Sequence, residues 1–246
     1  MIELDKLSLD QIIGEEIELI PLMNEEDEKK FNKEAVPEEL PILSLKNTVL
    51  FPGVVIPITA GRNRSIKLLE EAHKEKQTIG VVSQKDSKID LPTTDDIHKI
   101  GTVARIVKML KMPDGNTTVI LQGIKRFQWT EMVQYEPFFK AKVEVLEETK
   151  PTARNKEYQA IIESIKDLAK KIIEIHPSLP TEATLAINNI ESSSFLVNFV
   201  SSNLNLSIED KQNLLEFSNL KDRATEVLRL MGIELQKLEL KNIIQS

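Results

Sequence analysis

A chain of 246 residues, 41% apolar and 29% charged, is long enough for one large or two ordinary domains with a full hydrophobic core. It has no cysteine, which excludes disulfides, thiolate nucleophiles and cysteine-based zinc sites. The net charge of −7 resides in residues 1–36, with 11 acidic and 4 basic side chains; residues 37–246 balance at 28 of each and lack the positive field of a non-specific nucleic-acid binder.

Residues 1–36 read as an acidic, disordered leader around the run Glu25-Glu26-Asp27-Glu28, with Leu4, Leu7, Leu9, Ile12, Ile13, Ile17, Leu19 and Ile20 as material for a short sticky element. Residues 37–150 read as mainly strands. Pro41-Ile42-Leu43-Ser44-Leu45 forms a first strand, and Val49-Leu50-Phe51 runs into the turn dipeptide Pro52-Gly53. The β-branched stretch 54–59 contains Pro57, which places it at a sheet edge or a bulge. From Arg62 to Lys76 the spacing becomes helical, with Ile66, Leu69 and His73 on one face. Residues 78–83 return to strand. Residues 101–110 and 117–123 flank Pro113-Asp114-Gly115, whose glycine suits the left-handed position of a hairpin turn. A further strand pair is expected at 125–130 and 138–146. About six strands and one helix bury most apolar surface as a curled, partly closed antiparallel sheet.

At Pro151 the periodicity changes. Tyr158, Ile161, Ile162, Ile165, Leu168, Ala169 and Ile172 recur at three and four, an amphipathic helix that stops before Pro177. Shorter helices follow at 181–189 and 192–203. Ser207-Ile208-Glu209-Asp210 has the form of a capping box opening the last element. There Ala224, Leu228, Met231, Leu235 and Leu238 form a heptad seam, and the absence of a stop signal leads one to expect a long helix that continues past residue 246. The fold class is α+β, in three parts: leader 1–36, β-rich domain 37–150, and helical domain 151–246.

Several short motifs occur together and in order: Leu40-Pro41-Ile42-Leu43, Phe51-Pro52-Gly53, Val55-Ile56-Pro57-Ile58, Gly61-Arg62-Asn63-Arg64-Ser65, Gln84-Lys85, Gly101-Thr102-Val103-Ala104, Pro113-Asp114-Gly115 and Gly123-x-x-Arg126. In this order and spacing the chain resembles the amino-terminal domain of Lon, the ATP-dependent serine proteases. The resemblance covers about residues 40–246, and the acidic head departs from it. It implies a PUA-like pseudo-barrel followed by helices that lead to an ATPase. It also implies substrate recruitment and subunit assembly in a cytoplasmic protease that degrades misfolded and regulatory proteins. ATP, Mg and the Ser-Lys dyad of such a protease belong to segments outside these residues. The implied partners are unfolded or degron-bearing proteins and other Lon subunits.

The residues themselves point to binding rather than chemistry. None of the eight glycines precedes a lysine, so a Walker A phosphate loop is absent from the sequence. His73, His98 and His176 are too far apart in sequence to support a metal site or triad; His73 is expected to pack on its helix. No cofactor, metal or catalytic residue is assigned. No apolar run reaches the roughly 20 residues of a membrane span, so no membrane partner is expected. Two places suit an adaptable protein contact. One is the hairpin shoulder with Met109, Leu110 and Met112, where methionine tolerates varied partners. The other is the basic helix start with Arg62, Arg64 and Lys67. A stand-alone adaptor for a peptide or small ligand is the alternative reading, and RNA binding a third; balanced charge and few aromatics count against RNA.

Overall fold

A computed structural model describes residues 24–176, 178, 179 and 182–245. The first helix, α1 (Glu25–Lys33), opens with a capping box between Asn24 and Asp27. There follow β1 (Glu39–Leu45), β2 (Val55–Ala60), α2 (Asn63–Lys74), β3 (Ile79–Ser83), β4 (Ile100–Lys111), β5 (Thr117–Gln134) and β6 (Lys140–Val145). The helical half holds α3 (Lys156–Ile175), α4 (Glu182–Asn188), α5 (Ser193–Asn203), α6 (Ile208–Glu216) and α7 (Leu220–Gln245).

The six strands run in the order β2-β5-β4-β3-β1-β6, and β6 also pairs with β5. Pairing therefore returns on itself through β5, β4, β3, β1 and β6, while β2 lies outside this ring on the first half of β5. The sheet is mixed, not purely antiparallel as expected. β1 and β3 run parallel because β2 and α2 intervene and carry the chain back to the same end. Pro57 sits on β2, which pairs with β5 alone, as an edge strand should. The two strands expected at 117–123 and 125–130 are one long strand. Its pairing with β4 skips Ile124, so the chain bends there without ending. At its start, Gly115 takes φ +86° and closes the hairpin through Met112.

Two apolar clusters fill the molecule. The smaller lies between α2 and the sheet, around Leu68, Leu69, Ala72, Val81, Val119 and Leu121. His73 is outside it and exposed; the buried stripe of α2 is Leu68, Leu69 and Ala72. The larger cluster runs from Phe51, Phe127 and Ala141 in the strands to Ile165, Leu196, Leu214 and Val227 in the helices. The two halves thus share one core.

Polar contacts fix the seam between them. Arg126 of β5 is buried and donates to Leu215 O of α6 at 3.3 Å and Glu147 O at 3.0 Å. Gln212 Nε2 of α6 donates to Ile100 O at 3.0 Å, and Asn198 Nδ2 of α5 to Pro52 O at 3.3 Å. The connecting segment is held too, since Thr149 N donates to Ser218 O and Leu220 N to Thr149 O. Tyr158 Oη, buried on α3, donates to Ser193 Oγ at 2.8 Å; burial pushes the phenol up to about 12.

Residues 25–33, read from sequence as part of a disordered leader, are instead a helix with Phe31 buried against the seam. The apolar positions from 4 to 20 lie outside the described residues. The box at Ser207 opens a separate short helix, α6, whereas α7 starts afresh at Leu220 with Asn219 Oδ1 accepting from Lys221 N and Asp222 N. The heptad seam has an internal partner. α7 lies along α3, with Ala224 and Met231 buried and Leu228, Leu235 and Leu238 packed on the main core.

Candidate functional site

The β2–α2 turn sets the site. Gly61 allows close packing of the hairpin tip, since a Cβ there would stand 2.9 Å from Asn116 Oδ1. The chain then enters α2 with Arg62 in the cap position. Arg62 is half-buried and spends its guanidinium on the fold: Nη1 donates to Asp90 O at 2.9 Å, and Nη2 to Gln84 Oε1 at 3.0 Å and Ser44 O at 3.4 Å. Its pKa is lowered by burial, against the pull of Asp90. Lys46 Nζ, 2.7 Å from Asp90 Oδ1, holds that carboxyl below the usual carboxylate range. Together these contacts pin the loop before a short 3₁₀ turn (Thr94–Asp96) and leave Leu91 71% exposed beside α2. Arg62 is thus a positioning residue.

Arg64 faces the surface. Its guanidinium carbon stands 4.9 Å over the Phe139 ring, and Nη2 pairs with Glu136 Oε1 at 2.7 Å. Tyr135, 56% exposed, meets Phe139 edge-on at 6.1 Å and 89°. Leu91, Arg62, Arg64 and Phe139 line one shallow recess. Lys67 lies one turn along α2 and is exposed. Aromatic, aliphatic and cationic surface thus adjoin at the start of α2.

The second expected group lies on the neighbouring hairpin. Met109 is half-buried and packs on the smaller core cluster, so it is chiefly a core residue. Leu110 and Met112 are half-buried at the shoulder, and Met112 closes the turn through its backbone. Lys111 Nζ reaches Glu70 Oε1 on α2 at 3.1 Å, tying hairpin to helix. The two groups therefore flank the same helix, and Arg64 and Lys67 are on its open side.

Tyr135, Phe139 and Leu91 complete this surface and escaped the sequence reading. Tyr135-Glu136-Pro137-Phe138-Phe139 carries a legible signal, an aromatic-rich Pro segment between strands. Nothing local links Leu91 to Arg64, because their proximity depends on the Arg62 contacts. Among the described residues no group of three or more His, Asp or Glu is arranged to hold a metal. No described helix is long and apolar enough to cross a membrane.

The fold is thus a six-stranded mixed sheet and a set of helices joined through one apolar core. Residues 39–232 match the sequence profile of the ATP-dependent protease La (LON) substrate-binding domain, and the chain belongs to that family. It is 57% identical over its whole length to the Lon protease of Flavobacterium johnsoniae and 48% identical over 94% of its length to that of Cytophaga hutchinsonii. It spans 30% and 28% of those two proteins. The fold resembles the N-terminal domain of Mycobacterium avium complex Lon protease, at TM-score 0.65 and 19% identity over 79% of this chain and 98% of the other. It also resembles a Lon N-terminal domain protein from Xanthomonas campestris, at TM-score 0.56 and 18% identity over 78% of this chain and 97% of that one. The expected family and α+β fold class are thereby established.

Proposed function

We propose that the chain recruits unfolded or degron-bearing proteins for an ATP-dependent Lon protease acting in the cytoplasm, and that capture occurs on the strip from Arg64 and Lys67 to Tyr135 and Leu91. Arg62 positions the strip, and Leu110 and Met112 extend it across the hairpin, with Met109 beneath. ATP, Mg and the serine–lysine cleavage chemistry belong to the remainder of such a protease, and other Lon subunits assemble through that remainder and the helical half. The observation that carries this reading is the profile match over residues 39–232, a family described by substrate binding. The exposed Tyr135 and Leu91 beside paired arginines support the choice of surface.

A fluorescein-labelled, permanently unfolded protein such as reduced and carboxymethylated lactalbumin tests it. The chain is expected to raise the anisotropy of that probe without nucleotide, and the double substitution Arg64→Glu/Tyr135→Ser to weaken binding about tenfold, roughly 1.4 kcal/mol. Undiminished binding by the variant would move the capture surface elsewhere. Absence of binding by the parent chain would end the reading.

A further inference from the structure

Helix α1 lies upstream of the residues that match the family profile, yet specific contacts build it into the seam. The Glu28 carboxylate accepts from Ser192 Oγ at 2.7 Å and stands 3.2 Å from Lys150 Nζ. Ser192 is the N-cap of the eleven-residue α5, so this carboxylate rests at the positive end of a helix, where an anion is favoured. Three residues on, the buried Phe31 ring lies 4.8 Å from the Arg105 guanidinium carbon. At the far end, Lys125 Nζ donates to Asn32 O at 3.2 Å and Glu34 O at 2.6 Å.

Glu28 and Phe31 enter one wall of a cleft of about 380 Å³ between the β half and α5. Ser194, on the first turn of α5, lines the same cleft; its Oγ is buried and has no hydrogen-bond partner among the described residues. Buried hydroxyls in folded proteins are normally paired, so this one marks polar capacity that α1 leaves unused. Glu28 with its partners Ser192 and Lys150, the Phe31 ring, Lys125 and the unpartnered Ser194 hydroxyl thus all line one groove.

We propose that this groove docks an acidic helical segment of a client protein with Glu three residues before Phe, and that α1 is its displaceable internal occupant. The inference rests on the reading of the chain as a substrate-recruiting domain and names one class of segment it takes. The client Glu replaces Glu28 at Ser192 and Lys150, its Phe replaces Phe31 beneath Arg105, and its terminal carbonyls take Lys125. Being tethered, α1 competes at high effective concentration, so a client enters readily only when the α1 anchors are weak or the client is in excess.

The probe is a fluorescein-labelled peptide of residues 24–36, and the protein is the full chain. The double substitution Glu28→Ala/Phe31→Ala is expected to bind it about tenfold more tightly than the parent chain does, because the tethered competitor is weakened. A peptide carrying the same two alanines is expected to bind neither. In a second measurement, Lys29→Cys supplies the single thiol of an otherwise cysteine-free chain for a dye on α1. Millimolar unlabelled peptide is expected to displace the helix and lower the dye's anisotropy. Equal peptide affinity in parent and folded double variant would overturn the proposal. If the double variant fails to fold, an unchanged dye signal overturns it instead. Loss of peptide binding with capture of unfolded lactalbumin intact removes this groove alone, whereas loss of both removes the recruiting function as well.

Discussion

Arg223→Ala is expected to lower the folding stability of the chain by about 3–5 kcal/mol, from several acceptors left unpaired at roughly 1–3 kcal/mol each. Arg223 is fully buried on α7. Its Nε donates to Leu214 O at 2.8 Å, Nη2 to Phe217 O at 2.5 Å and Nη1 to Asn198 Oδ1 at 3.0 Å, while Glu148 Oε1 stands 2.5 Å from Nη1. The guanidinium thus caps the last carbonyls of α6, holds α5 and anchors the segment that leaves the β half. Alanine would strand the buried Leu214 carbonyl, the buried Asn198 Oδ1 and the partly buried Phe217 carbonyl, each with its own desolvation cost, and would leave the solvent-accessible Glu148 unpaired. Lysine is expected to restore little, because a point charge does not reproduce the fork of donors. Urea titration followed by the single, largely buried Trp129 checks this, and a loss below about 1 kcal/mol would mean that Arg223 is not the keystone of the seam.

Gly101→Ala is expected to cost about 3 kcal/mol or more, at or beyond the top of the usual overpacking range. A Cβ at Gly101 would lie 2.0 Å from Val81 O and 2.9 Å from Val82 Cγ1. The first is a backbone atom of the neighbouring strand, so β3 and β4 would have to part where Thr102 pairs with Val81. Gly232→Ala is the internal control. Nothing lies within 4 Å of a Cβ there, inside α7, so alanine is expected to stabilise by up to about 1 kcal/mol through helix propensity. Thermal melts of the two variants should move in opposite directions. A Gly101→Ala protein as stable as the parent would mean that the β3–β4 pairing is looser than described.

What was legible in the sequence follows from how local each signal is. The hairpin at Gly115 could be read because a turn needs only its own four residues. Helix α3 could be read because its apolar stripe repeats over five turns. The parallel β1–β3 pair could not, because its partners are separated by a strand and a helix and no local pattern encodes strand direction. Helix α1 was hidden because its acidic run outweighed the one residue, Phe31, that is buried in place. The heptad positions of α7 were visible, but their partner was not: the same spacing serves a second chain or the neighbouring α3, and packing chose α3. At the candidate site, Arg62, Arg64 and Lys67 were found as a basic helix start. Burial then divided their roles, spending Arg62 on the loop and leaving Arg64 and Lys67 outward. Tyr135 and Leu91 joined them only through tertiary contacts.

The most direct measurement is site-specific photo-cross-linking to an unfolded protein without nucleotide, with the photoreactive group placed at Tyr135, at Lys67, or on the far helix at Lys237. Cross-links from Tyr135 and Lys67, lost on competition with unlabelled unfolded protein and few from Lys237, are the expected result. Equal labelling from all three positions, or labelling from Lys237 alone, would contradict capture at the start of α2.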